Sequence, residues 1–102
     1  MNALRSRLTR AIISLGEPMS VAGAPVAAVV AVLDEAKAGD YLSETELAAS
    51  ERPLWSAYVS YDAAVAVLDS ATWNGLSLIV KRIIDLRLQG LCLAKMMVLA
   101  EE

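Results

Sequence analysis

Glu44, Glu46 and Glu51 come closest, by type and spacing, to residues that could do chemistry. Paired carboxylates can divide acid and base roles, or hold a hard cation through oxygen. Neither use is complete here. The chain has no histidine, so a His-based catalytic system or a His metal site cannot be built. Serines are plentiful but lack a His to activate them, and no motif surrounds Lys37, Lys81 or Lys95. A solvated acidic face is the simpler reading of the glutamates. Cys92 is the single cysteine. It cannot form an internal disulfide, which fits a reducing compartment. Its place between Leu91 and Leu93 reads as a small core residue, not a reactive thiol. No catalytic, cofactor or metal residue is assigned, and no enzyme is expected.

The totals point the same way. The 102 residues make one domain with a single core. Nine basic and 12 acidic residues leave a net charge of −3, a poor basis for general nucleic-acid binding. No apolar run reaches the roughly 18–20 residues of a membrane-spanning helix. Arg5, Arg7 and Arg10 are threaded through the apolar residues of the N-terminus, unlike a signal peptide. A soluble, intracellular protein is expected.

Composition alone suggests a helical bundle, since 57% of the residues are hydrophobic and Ala, Leu and Val dominate. Asn74-Gly75 argues otherwise. A type I′ turn needs positive φ at both central residues, and this pair meets that need at the least steric cost. Apolar runs on either side, Ala71–Trp73 and Leu76–Asp85, make it a hairpin signal. Met19–Val21 and Val26–Leu33 read as a smaller hairpin, with a buried helix over 26–38 as the competing reading. Leu54–Val59 and Val65–Leu68 read as strands, with turns at Tyr61-Asp62 and Asp69-Ser70. Leu86–Gly90 reads as a loop and Leu91–Ala100 as a last strand. Strand-length pieces at this spacing suggest a small sandwich or barrel. A continuous helix from Ile79 to Leu99 is the alternative, burdened by Gly90 and by Ile79-Val80 and Ile83-Ile84.

Two further segments complete the chain. Leu4, Leu8, Ala11, Ile12 and Leu15 form one stripe of a helix over 2–15, with Gly16 as its C-cap. Residues 1–16 are thus an amphipathic arm, which packs on the core or docks on a partner. Residues 17–102 form the β domain. Within it, 34–53 is a long acidic connection, with a capping box at Ser43–Glu46 and a helical turn or two from Glu44 to Ser50. A connection of that length in a small domain is usually functional or disordered. Gly39, Asp40, Tyr41 and Leu42 are its candidate recognition tip. Arg82, Arg87 and Lys81 could touch DNA in a channel, or be strand-edge charges. Trp55 and Trp73 are expected as core anchors, or else as interface anchors.

The order of features resembles the lambda-type head–tail joining (head-completion, connector) proteins of long-tailed bacteriophages. The resemblance covers about residues 17–100. It rests on Val32-Leu33-Asp34-Glu35 and Pro53-Leu54-Trp55-Ser56-Ala57-Tyr58-Val59. Leu68-Asp69-Ser70-Ala71-Thr72-Trp73-Asn74-Gly75, Ile79-Val80-Lys81-Arg82-Ile83 and Leu86-Arg87-Leu88-Gln89-Gly90 follow. The chain departs from the pattern at Leu68, where glycine is expected, and at Ser70-Ala71, where a β-branched start is expected. The resemblance implies a mainly β fold, a small β-barrel or sandwich with a short N-terminal α-helix and a long, partly helical loop, and no catalytic site.

Its implied function is structural. A ring of copies, a hexamer or dodecamer, would close the DNA-filled head beneath the portal and adaptor proteins and offer a surface to tail proteins. It would sit close to packaged DNA and away from any membrane. The protein would be in the virion, and in the host bacterial cytoplasm during assembly. The expected partner surface comprises Arg5, Arg10, Gly39, Asp40, Tyr41, Leu42, Glu44 and Arg87. A tail-terminator-type ring protein and a helical dimeric adaptor or regulator of bacterial origin are the alternatives.

Overall fold

The computed structural model describes residues 2–33 and 54–101. The capping box at Ser43–Glu46 and the helical turns after it lie outside the described residues. Helix α1 spans Asn2–Leu15. Six strands follow: β1 Glu17–Val21, β2 Ala24–Leu33, β3 Leu54–Ser60, β4 Ser70–Trp73, β5 Leu76–Leu88 and β6 Leu91–Glu101. They close into an antiparallel barrel in the order β1-β2-β3-β6-β5-β4. The fold is mainly β, and of the two expected architectures it is the barrel. Residues 26–33 belong to β2, while β5 and β6 take up the stretch proposed as a long helix. A helix over 26–33 and a continuous helix from Ile79 to Leu99 are thereby overturned.

Asn74-Gly75 joins β4 to β5 with φ of 50° and 78°. Those are the two left-handed conformations that a type I′ turn demands. The turn sets Trp73 opposite Leu76 and Ala71 opposite Leu78. The same backbone recurs in the other two hairpins, where Ala22 and Gln89 take φ of 51° and 52° ahead of a glycine. This corrects the loop expected over 86–90. The β5–β6 ladder runs on to Leu88 opposite Leu91, and a bulge between Leu86 and Arg87 absorbs the irregularity.

Val65–Leu68 is not a strand. β3 pairs with β2 and β6, whereas β4 pairs with β5 and β1, so the chain between them crosses from one part of the barrel to another. Lys95 Nζ holds this crossing at one point, donating to Ala63 O at 3.2 Å. Val80 holds it at another, accepting from Leu68 N at 2.7 Å and donating to Asp69 O at 3.0 Å.

Strand alternation divides the apolar residues between two faces. Met19, Val21, Ala28, Ala57, Val59, Ala71, Leu78, Val80, Met97 and Leu99 fill the barrel. Trp55 and Trp73 pack against them and meet edge to face, with ring centroids 5.1 Å apart at 60°, a favoured aromatic geometry. On the outer face Leu33, Leu54, Met96, Val98 and Ala100 form a second buried cluster. β6 is therefore buried on both faces, which explains its nearly unbroken apolar run.

Gly16 ends α1 for a steric reason and not as a left-handed cap. Its N–H still bonds Ile12 O at 2.8 Å. A Cβ there would lie 2.3 Å from that oxygen and 3.0 Å from Ala28 O. Glycine is what lets the chain leave the helix directly against β2.

Candidate interaction surface

α1 reaches the barrel through the middle of its stripe. Ile12 is buried, Leu8 and Ala11 are half-buried, and Leu4 and Leu15 remain exposed, Leu15 at 76%. The helix packs on β2, β3 and β6. The centre of the arm therefore packs on the domain, while the ends of its stripe are exposed.

Between the helix and the sheet lies an apolar cleft of about 260 Å³. Leu8, Ala11, Ile12 and Leu15 line one wall; Val29, Tyr58, Leu86 and Ala94 line the other. Four strands and the helix each contribute a residue or more, and the exposed Leu15 stands at its mouth.

Arg5 locks the helix on the other flank. Its guanidinium lies 3.9 Å from the centroid of the Tyr61 ring, within cation–π range. Its Nε donates to Cys92 O at 3.0 Å. Arg10 is exposed and shares a shallow hollow of about 290 Å³ with Arg5, Ser6, Thr9, Tyr61 and Asp62. The Thr9 hydroxyl there is buried without a hydrogen-bond partner.

Arg87 lies at the far end of the β5–β6 hairpin, as the register partner of Cys92. It pairs with Asp85 at 3.1 Å and donates to Gly90 O at 3.3 Å. Arg5 and Arg87 therefore converge on one residue, the first through its carbonyl and the second across the ladder. Both are engaged within the chain, while Arg10 faces solvent. Cys92 itself is half-buried, its thiol 3.5 Å from Ala94 O, and so is less enclosed than a core cysteine. Gly39, Asp40, Tyr41, Leu42 and Glu44 lie outside the described residues.

Among the described residues, no group of three or more His, Cys, Asp or Glu is placed to hold a metal ion. No helix among them is long and apolar enough to cross a membrane. The exposed apolar residues are what sequence reasoning missed: Ile13 beside Leu15 on α1, and Val67 and Leu68 on the crossing connection. Leu68 takes a φ of 74°, which glycine adopts freely and leucine rarely does. Comparison of the chain with protein-family models, with curated proteins and with solved structures finds no match.

Proposed function

We propose that this chain is a structural joining module that assembles as a ring between the DNA-filled head and the tail of a long-tailed bacteriophage. One observation carries the reading. Leu33 and Leu54, the residues flanking segment 34–53, are register partners in adjacent strands. A hairpin at that point closes with two to five residues. The pairing of Leu33 with Leu54 does not need the additional length, which leaves the segment available for contacts beyond its own hairpin. Such a segment on a closed barrel suits a protein that contacts successive rings.

Other features support the same reading. The stretches that resemble the connector family fall on the framework: Leu54–Val59 within β3, Trp73-Asn74-Gly75 at the β4–β5 turn and Gln89-Gly90 at the β5–β6 turn. Barrel closure removes free edges, so copies meet through side chains and not by uncontrolled strand addition. The open ends of the α1 stripe and the exposed Arg10 supply apolar and basic contact points.

The test uses particles. Disrupting the gene in its phage is expected to leave DNA-filled heads and separate tails, and adding the purified chain restores joined, infectious particles. Normal virions in the disrupted strain would refute the proposal.

A further inference from the structure

The crossing connection ends in a turn that is unusual in two independent ways. Leu68 holds φ at 74°, a region that side chains of L-residues rarely adopt. Its side chain is also 68% exposed, with Val67 beside it at 48%. The turn is nevertheless held firmly. Both backbone bonds to Val80 fix it on one side, and Asp69 Oδ2 accepts from Ala66 N at 2.9 Å on the other. Strain and exposure both oppose this arrangement, and such outliers persist at functional positions.

The apolar cleft under α1 lies on a different part of the barrel. In the strand order β1-β2-β3-β6-β5-β4, β4 stands across the barrel from β3. The turn leads into β4, and β3 is the middle of the three strands that α1 covers. A knob and an apolar hole thus stand on separate patches of one chain, with no lining residue in common. Charge is complementary as well. α1 carries Arg5, Arg7 and Arg10 and no acidic residue, with the exposed Arg7 one turn before Ala11 of the cleft. The knob runs straight into Asp69.

We infer that the Val67-Leu68 turn of one copy seats in the α1 cleft of the next, with Arg7 facing Asp69. This rests on the ring-forming reading above and names its contact. Because knob and hole occupy different surfaces, the contact is head-to-tail and builds a ring or filament, not a two-fold dimer.

Sedimentation of the full chain over a range of concentrations tests it, with Leu68→Gly as the variant. That change removes the knob and relieves the backbone, so it does not act by unfolding the chain. It is expected to weaken self-association by about tenfold or more, the usual loss on deleting a buried apolar anchor. A second measurement oxidises a chain carrying Leu15→Cys and Leu68→Cys together in a Cys92→Ser background. A ladder of covalent multimers is expected from the double variant but not from either single one. If Leu68→Gly associates like the wild type, the inference falls while ring formation stands. If the wild type stays monomeric throughout and the double variant gives no ladder, the inference falls as well. The particle assay then decides head–tail joining on its own.

Discussion

The guanidinium of Arg5 lies 3.9 Å from the centre of the Tyr61 ring, while its Nε donates to the carbonyl of Cys92. One side chain thereby ties α1 to the turn after β3 and to the start of β6. Arg5→Ala is expected to cost about 1–2 kcal/mol, from the lost cation–π contact and the lost hydrogen bond to a charged donor. Tyr61→Leu removes only the ring contact and costs less. A double-mutant cycle by urea denaturation checks this, with an expected coupling of about 0.5–1 kcal/mol. Additive effects would mean that the stacking contributes nothing.

Leu68→Gly is expected to raise stability by about 1 kcal/mol. The native φ of 74° is costly for leucine and free for glycine. Part of that gain is offset by the larger backbone freedom of glycine in the unfolded chain. Leu68→Ala keeps a Cβ in the same conformation and gives no such gain. The urea midpoints of the two variants make the comparison, and equal midpoints would show that the turn is unstrained.

Gly16 and Gly75 resist substitution for different reasons. At Gly16 a Cβ meets backbone oxygens at 2.3 and 3.0 Å. Gly16→Ala is therefore expected to cost about 1–3 kcal/mol and to displace α1 from β2. At Gly75 no atom lies within 4 Å of a Cβ, and the difficulty is the φ of 78°. Gly75→Ala is expected to cost about 1–2 kcal/mol, and Gly75→Asn, which tolerates that region, clearly less. Thermal unfolding of the three variants distinguishes a clash from a conformational cost.

Replacing residues 34–53 with Asn-Gly links two residues that are already paired, Leu33 and Leu54. The shortened chain is expected to keep the far-UV strand signature of the wild type and to fail in joining heads to tails. Loss of the strand signature would place the segment in the fold itself. Undiminished joining would remove it from function.

Part of this was legible in the sequence. Asn74-Gly75 announced its hairpin because both residues favour the left-handed region. The spacing of Leu8, Ala11 and Ile12 announced the helix. Gln89-Gly90 forms the same turn, but glutamine has no such preference, so the β5–β6 ladder appeared to stop at Asp85. Val65–Leu68 has strand composition and becomes a crossing only because β3 and β4 are not neighbours. Barrel closure rests on two register pairs, Ser20 with Thr72 and Val21 with Ala71. No local pattern encodes pairs so distant in the chain. The same holds for the site. Arg5 and Arg10 were visible as charges on a helix face, but the cleft under α1 draws on residues from β2, β3, β5 and β6.

The central claim, a ring of this barrel at the head–tail junction, is tested most directly by a cryo-electron-microscopy reconstruction of the parent particle. The expected result is a ring of six-stranded barrels between portal and tail, each with α1 on the outer face of β2, β3 and β6. A junction built wholly from other chains, with no density for this barrel, would contradict it.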